Sequence, residues 1–398
     1  MTLDQPGNIS AEARLDDVEA LQRLDPSDML RVVAGSGAHV REAAVAAADA
    51  GLERLAGEGR PRSVVVAGMG GSAISGDVLA AIAGWSCPVP VIVSREYGLP
   101  LWVGAADAVI GVSYSGTTQE TLSAVEQAVS RGCSVLGVGA ADSPLEALVG
   151  QAHGPFVHVA EGRMPRAALW SLSIPLLLAG RAMGILSLDD DEIAATADRL
   201  DELAERCRPT SEAFVNPAKR LAADLSGTLP MVWGNSPLAG VAAQRFSCQL
   251  AENAKYPAVF GQLPEANHNQ VVAFDGAFGE RAGQTMGIPA AGDADSASDD
   301  FFRDRADDND AAVRLHLLLL TDTEEHPQVT QRRAASRDLA GDRRIGVTEL
   351  LAEGDSPLER LASLIAVPDF ASVYLGLLYG LDPTPIPAIA QLKGLIAR

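Results

Sequence analysis

Lysine, aromatic residues and cysteine are all scarce in this chain of 398 residues. Aromatic residues make up 5% of the sequence and hydrophobic residues 47%, so the core must be built mainly from alanine, valine, leucine and isoleucine. Such a core is typical of buried parallel strands covered by helices, and this apolar content excludes a fully disordered chain. The only lysines are Lys219, Lys255 and Lys393, so positive charge comes almost wholly from arginine.

Paired metal-ligand spacings are also lacking. The four cysteines lie far apart, and the six histidines show no HxxxH or similar arrangement. These patterns argue against a zinc site and against a disulfide-rich scaffold. We therefore expect neither a metal nor another cofactor.

Positive charge is outnumbered, and the net charge is -21. Such a chain repels phosphate backbones and anionic lipid, so nucleic acid and membrane surfaces are not expected as partners. The first residues are polar and acidic, unlike a signal peptide, and no apolar run is expected to span a membrane. We expect a cytoplasmic protein. A phosphate ligand remains compatible with this charge if backbone N–H groups and hydroxyls bind it.

An alternation of strands and helices occurs twice along the chain. Short β-branched runs alternate with helical segments from Val64 onward, and a second alternation begins at Leu229–Trp233. This pattern predicts an α/β fold with parallel sheets and right-handed crossovers. The length suits two domains, which we place at 1–190, with a helical N-terminal extension, and at 191–398. In the second domain we predict a strand at Val271–Phe274 and a solvated acidic insertion at about 276–310.

The first candidate loop is Gly68-Met69-Gly70-Gly71-Ser72-Ala73, between a predicted strand and a predicted helix. Glycines let the backbone approach an anion, and the helix N-terminus offers unpaired N–H groups. A dinucleotide fingerprint would have a third glycine where Ala73 stands, and an acid after the next strand, for which Glu96 is available. The loop alone also fits a tight strand–helix turn.

The second candidate loop is rich in hydroxyl groups. It runs SYSGTTQET from Ser113, after a predicted strand and before a predicted helix. A capping box at Thr117–Glu120 would explain one of these hydroxyls, but not four together. Two such loops at the carboxyl ends of nearby parallel strands predict a ligand crevice at the switch point of a doubly wound sheet.

Several motifs in the sequence resemble those of a known family. GMGGSAISGD followed by SYSGTTQET resembles the SIS sugar-phosphate domain. QLAENAK and LPEANHN, between Gln249 and Asn269, resemble the bifunctional phosphoglucose/phosphomannose isomerases, as do PRAAL at 165–169 and the C-terminal DPTPIPAIAQLK. The resemblance extends from about Ser63 to Lys393, apart from the acidic insertion.

This resemblance implies two SIS domains, each a doubly wound, flavodoxin-like parallel sheet flanked by helices. It also implies a homodimer that interconverts glucose 6-phosphate, and possibly mannose 6-phosphate, with fructose 6-phosphate through a cis-enediolate. The positions that match its phosphate-binding residues are Gly71, Ser72, Ser113, Ser115 and Thr118. Glu252 matches the catalytic base, and His268 matches a histidine from the partner subunit that assists ring opening. Arg166 matches the arginine near the enediolate, and Lys393 matches a C-terminal active-site lysine.

Each of these catalytic roles has a plainer alternative. A carboxylate in a dry pocket can move a proton between two carbons, but Glu252 also fits a solvated acid paired with Lys255. Imidazole titrates near neutrality, but His268 also fits a loop histidine with structural hydrogen bonds. Arg166 offers a charge that does not titrate, yet it also fits a surface arginine at a helix start. Lys393 also fits a cation near a helix C-terminus.

The sequence departs from the family in two places. Leu169-Trp170-Ser171 stands where an LGY-like stretch is usual, and we expect Trp170 to narrow or reshape the pocket. The acidic insertion follows soon after His268 and is expected to bear on the subunit contact. We expect both features to reduce catalytic efficiency more than the binding of sugar phosphates.

Three other functions are alternatives to the isomerase. A non-catalytic sugar-phosphate sensor is the leading alternative, although residues 1–60 lack the basic character of a DNA-binding domain. A glucosamine 6-phosphate synthase-like enzyme would need an N-terminal cysteine, and no cysteine precedes Cys87. An NAD-dependent enzyme would leave the second phosphate-type loop without a use.

Overall fold

The computed structural model of the protein describes residues 10–282 and 313–396. Most of the predicted acidic insertion at 276–310 lies outside the described residues. Four short helices come before the first strand: α1 (Ala11–Leu15), α2 (Val18–Leu24), α3 (Met29–Ala34) and α4 (Ser36–Asp49). Ser10 and Asp17 cap the first two of these helices by accepting hydrogen bonds from backbone N–H groups.

The first sheet has five parallel strands. They are β1 (Val64–Ala67), β2 (Val91–Ser94), β3 (Ala108–Ser113), β4 (Ser134–Gly139) and β5 (Phe156–His158). Their order is β2-β1-β3-β4-β5, which is the flavodoxin-like order, so the winding reverses between β1 and β3. The accompanying helices are α5 (Gly71–Ala83), α6 (Gln119–Ser130), α7 (Pro144–Gln151) and α8 (Leu169–Ala182). Every residue of β1 and β3 is buried, as expected for a sheet covered on both faces.

The second sheet repeats this winding with four strands. Two helices, α9 (Asp190–Cys207) and α10 (Pro217–Leu225), lead into it. Its elements are β6 (Thr228–Gly234), α11 (Pro237–Gln249), β7 (Val259–Gln262), β8 (Arg314–Thr321), α12 (Pro327–Asp342), β9 (Gly346–Leu351), α13 (Pro357–Leu378) and α14 (Pro387–Ile396). All pairings are parallel in the order β7-β6-β8-β9. The predicted α/β fold of two doubly wound parallel sheets is confirmed.

One strand prediction in the second sheet is wrong. Val271–Phe274 lies in a 3-10 helix, Gln270–Asp275, and β7 occupies the sheet edge instead. The Phe274 ring is fully buried and stacks on Trp233 with centroids 5.6 Å apart. A short apolar run fits a buried turn as well as a strand, so its composition alone did not distinguish the two.

Helix α13 runs through the core. It is long and apolar enough to cross a bilayer, with a mean hydropathy of 1.8, but all of that window is buried within the protein. This burial is that of a core helix in a folded protein. The helix begins with a capping box formed by Ser356 and Glu359, and it packs against α9, α10 and α11.

Candidate functional site

The loop from β1 to α5 leads directly into the N-terminus of a helix. Gly70 has φ +53°, a conformation that favours glycine, and a Cβ on Gly68 would lie 3.1 Å from the main-chain carbon of Ser72. Helix α5 begins at Gly71 with no side-chain cap. The N–H groups of Ser72 and Ala73 donate to the carbonyls of Met69 and Gly70, whereas the N–H of Gly71 has no acceptor among the described residues and is available to an anion.

The loop from β3 to α6 pairs its hydroxyls with one another. Ser113 Oγ lies 2.9 Å from Thr118 Oγ1, and Ser115 Oγ lies 2.9 Å from Thr117 Oγ1. Thr118 is the N-cap of α6 but forms no side-chain cap hydrogen bond, so the predicted capping box at Thr117–Glu120 is wrong. The four hydroxyls are thus not used for capping and form a cluster of donors and acceptors.

Both loops meet at the switch point of the first sheet. Strands β1 and β3 are direct neighbours, with Val65 paired to Val109. Their carboxyl ends lie side by side, where doubly wound sheets bind ligands. The structure therefore brings together, on two adjacent loops, the five positions predicted to bind phosphate: Gly71, Ser72, Ser113, Ser115 and Thr118.

The corresponding edge of the second sheet is filled by side chains. Asp322, which follows β8, accepts from Ser236 Oγ at 2.9 Å and from Arg360 Nε at 2.8 Å. Asp322 and Arg360 are both almost fully buried. A carboxylate of the protein itself therefore lies near the N-terminus of α11, where Ser236 is the N-cap. Gly234-Asn235-Ser236 echoes the first glycine-rich loop, but within the described part of the chain this buried ion pair occupies the edge next to it.

Arg166 lies next to the open crevice. It belongs to a 3-10 turn, Pro165–Ala167, and is only 4% exposed, so it is not a surface arginine. A Cβ on Gly71 would lie 3.6 Å from the Pro165 carbonyl oxygen, which places this turn against the first loop. Burial lowers the pKa of Arg166, and the nearby carboxylate of Glu252 opposes that shift.

Hydrogen bonds from two distant segments hold the Arg166 guanidinium. Its Nε donates to Asn253 Oδ1 at 2.7 Å, and its Nη2 donates to the carbonyls of Pro383 at 2.7 Å and Thr384 at 2.9 Å. The main-chain oxygen of Arg166 accepts from Arg245 Nη2 at 2.9 Å. Arg166 is therefore fixed at both its side chain and its backbone.

Glu252 lies in a π-helical turn, Leu250–Ala254, at the end of α11. Its Oε2 is 3.8 Å from Arg166 Nη1, and its side chain is 31% exposed. Burial raises the pKa of Glu252, opposed by the positive charges of Arg166, Arg245 and Lys255. Lys255 Nζ donates to the main-chain oxygen of Glu252 at 2.9 Å, not to its carboxylate. Glu252 and Lys255 therefore do not form the solvated ion pair that the plainer alternative predicts.

His268 lies away from Glu252 within the chain. Helix α11 returns from the carboxyl edge of the second sheet to its amino edge, which places Glu252 at the amino edge. His268 follows the carboxyl end of β7, in a 3-10 turn rather than just before a strand. The four residues of β7 separate the two edges by about 13 Å at roughly 3.3 Å per residue.

Lys393 is exposed, whereas Trp170 is buried in the core. Lys393 is exposed on α14, and within residues 10–282 and 313–396 it forms no ion pair. Trp170 is 1% exposed and packs in the main core from α8. Its indole therefore fills the core beneath the Arg166 turn and does not line the open loops.

Residues 214–396 match the family model of the bacterial phospho-glucose isomerase C-terminal SIS domain. The chain is also 34% identical, over 335 residues, to a bifunctional phosphoglucose/phosphomannose isomerase from Caldicellulosiruptor bescii. That alignment covers 84% of this chain and 89% of the relative. The chain belongs to the bifunctional phosphoglucose/phosphomannose isomerase family.

Further comparisons agree with this family. A bifunctional phosphoglucose/phosphomannose isomerase from Aquifex aeolicus is 28% identical over 83% of this chain and 89% of its own length. The crystal structure of a glucose-6-phosphate isomerase from Chlamydia trachomatis has a TM-score of 0.66 at 12% identity. That structural match covers 97% of this chain and 84% of the other, and it concerns the fold alone.

Sequence reasoning missed several residues that surround Arg166 in this member of the phosphoglucose/phosphomannose isomerase family. Asn253 and Lys255 lie inside the ENAK motif, and Pro383 and Thr384 lie inside DPTPIP. Both motifs are visible in the sequence, but their resemblance to the family assigns roles only to Glu252 in the first and to Lys393 after the second. The missing information was the contact between these motifs, which are more than 120 residues apart in the chain.

Proposed function

We propose that this protein is an aldose–ketose isomerase that interconverts glucose 6-phosphate, and also mannose 6-phosphate, with fructose 6-phosphate. The observation that carries the proposal is the approach of Glu252 to Arg166, at 3.8 Å, where the turn of Arg166 contacts the loop between β1 and α5. A base, a fixed cation and a phosphate cradle are the parts that the reaction requires. The sequences of the family members named above support the same activity.

The two loops of the first sheet bind the substrate phosphate in this proposal. The backbone N–H of Gly71, at the start of α5, and the hydroxyls of Ser113, Ser115 and Thr118 donate to its oxygens. No cationic side chain is needed for this, which suits a chain with a net charge of -21. Anchoring the phosphate places the other end of the sugar near Glu252 and Arg166.

Glu252 acts as the base and Arg166 stabilises the charge that develops. The carboxylate removes a proton from one of the carbons C1 and C2 and returns it to the other, with a cis-enediolate between the two steps. The raised pKa of Glu252 strengthens it as a base. The guanidinium does not protonate the enediolate, because arginine keeps its proton.

His268 assists ring opening from a partner subunit in this proposal, which makes the protein a homodimer. Within one chain His268 and Glu252 lie at opposite edges of the second sheet. Apolar side chains are exposed on β7 and on the 3-10 helix that follows His268, including Val259, Phe260 and Val272. A second copy that covered this surface would bury them and bring an imidazole to the crevice. Lys393 is proposed to contribute its charge from α14.

The deciding experiment uses EDTA-treated protein and fructose 6-phosphate. Proton NMR would follow the appearance of glucose 6-phosphate and mannose 6-phosphate. Formation of either product supports an isomerase, and the product ratio gives the substrate range. Absence of both products, together with thermal stabilisation by fructose 6-phosphate, would support the alternative of a non-catalytic sugar-phosphate-binding protein.

A further inference from the structure

Lys255 lies at a junction between three segments near the candidate site. It follows the π-helical turn that carries Glu252, and it has φ +54°, a left-handed conformation that ends a helix. Its Nζ donates to the carbonyls of Glu252 at 2.9 Å and Asn253 at 3.4 Å. These two bonds alone would be ordinary capping of a helix end.

The same ammonium group also reaches a distant part of the chain. Nζ lies 3.3 Å from the carbonyl of Asp382 and 3.1 Å from that of Pro383. The Pro383 carbonyl accepts from Arg166 Nη2 as well, at 2.7 Å. One carbonyl is thus shared by Lys255 and Arg166, which brings two positive charges together. Burial lowers the pKa of Lys255, and the charge of Arg166 lowers it further.

The segment that these two cations hold is the base of the C-terminal arm, by which we mean residues 381–396. Beyond Thr384 the arm has little else to fix it. No hydrogen bond or ion pair between described residues joins 385–396 to the rest of the chain, and α14 has no buried residue. The contacts that Lys255 and Arg166 make with the first residues of the arm therefore determine where the rest of the arm, with Lys393, is placed.

We propose that Lys255 is a positioning residue, which clamps the base of the C-terminal arm against Arg166 and the Glu252 turn. This inference rests on the proposed isomerase function. It adds a role that the reaction itself does not require, since Lys255 is bound to carbonyl oxygens. Its effect on the reaction passes through Arg166, which loses the common carbonyl when the arm moves.

The test compares three variants of Lys255. Lys255→Met removes the charge and keeps much of the volume. Lys255→Gly removes the side chain and suits the left-handed backbone, which protects folding. Lys255→Arg keeps a cation that can reach carbonyl oxygens. A matched control is Arg31→Met, which removes an exposed cation far from the site in the chain.

We expect Lys255→Met and Lys255→Gly to lower kcat by about 10- to 100-fold, the loss typical of a misplaced catalytic group. KM for fructose 6-phosphate should change little, because the phosphate loops belong to the first sheet. Amide hydrogen exchange should become faster in residues 381–396 and stay unchanged in α5 and α6. Lys255→Arg should recover most of the kcat, and Arg31→Met should match the wild type.

Several outcomes would overturn the clamp. Wild-type kcat in Lys255→Gly would do so, as would unchanged exchange in the arm, or a loss in Lys255→Arg as large as in Lys255→Met. The proposed function is tested separately by turnover in the wild-type protein. If the wild type does not isomerise fructose 6-phosphate, that function fails, and the exchange comparison still decides whether Lys255 holds the arm.

Discussion

Arg166 donates from Nε to Oδ1 of Asn253 at 2.7 Å, and Asn253 is the residue directly after Glu252. Asn253 in turn donates to Ser372 of α13 at 2.8 Å. The proposed base and the proposed cation are therefore tied through one amide side chain to the core. This contact keeps the two charged groups at a fixed separation, and such preorganisation is what stabilisation of a developing charge requires.

Replacement of the proposed base should stop the reaction without loss of binding. Glu252→Gln keeps the shape of the side chain but cannot accept the proton. We expect turnover to fall by about 10²- to 10⁴-fold, the usual contribution of a general base. Fructose 6-phosphate affinity, measured by calorimetry, should stay close to that of the wild type. Glu205→Gln, at an exposed position on α9, is the control. Wild-type turnover in Glu252→Gln would exclude this residue as the base.

The pH dependence should report the environment of Glu252. Because burial raises its pKa, kcat/KM should fall, as pH is lowered, at a higher pH than an ordinary glutamate would give. The charge of Arg166 opposes this shift, so Arg166→Met should move the acid limb of its residual activity to still higher pH. Arg166→Lys keeps a positive charge and should move the limb less. A limb at the same pH in all three proteins would show that a different group titrates.

The hydroxyl cluster should determine affinity for the phosphate. Ser115→Ala removes one hydrogen bond to a charged ligand, worth about 1.5–3 kcal/mol, and should raise Kd for fructose 6-phosphate by about 10- to 100-fold. Unphosphorylated fructose should bind as weakly as before. Ser130→Ala, at the other end of α6, serves as the control because its hydroxyl bonds only Gln127 O. Equal weakening of both sugars would place the phosphate elsewhere.

Mixed dimers can show whether His268 acts across a subunit interface. We expect Glu252→Gln and His268→Ala to be inactive as separate homodimers. Unfolding and refolding them together gives a mixed dimer in which one site has both Glu252 and the partner's His268. Activity should then return to about a quarter of the wild type for random pairing in a two-fold dimer. A mixture that stays inactive, with mixed dimers shown by mass spectrometry, would contradict a shared site.

The fold and the positions of the two candidate loops could be predicted from the sequence because they depend on local patterns. Strand runs followed by glycine or hydroxyl residues identify loops at the carboxyl ends of parallel strands, and the structure places Gly71 and Ser113 there. Their role in phosphate binding stays a prediction. The division near residue 190 stays a prediction. The strand at Val271–Phe274 failed because burial of Phe274 against Trp233 comes from the tertiary structure.

The arrangement around Glu252 was less accessible. Glu252 and Lys255 three residues apart suggested a surface ion pair, which is the usual outcome on a helix. The π-helical turn instead leads into a left-handed residue, so the lysine turns toward carbonyl oxygens and the carboxylate faces Arg166. The local sequence predicts neither the π-helical turn nor the contact of Pro383, from the far end of the chain, with Arg166 and Lys255.

The carboxylate of Asp322 gives the two sheets different roles. Doubly wound sheets usually receive ligands at their carboxyl edge, and in the first sheet that edge carries the two candidate loops. In the second sheet, Asp322 at the same edge forms a buried ion pair with Arg360, so this edge has a structural role. The opposite, amino edge of that sheet carries Glu252. In the proposed function, one half of the molecule therefore binds the ligand at a carboxyl edge, and the other half presents Glu252 to it from an amino edge.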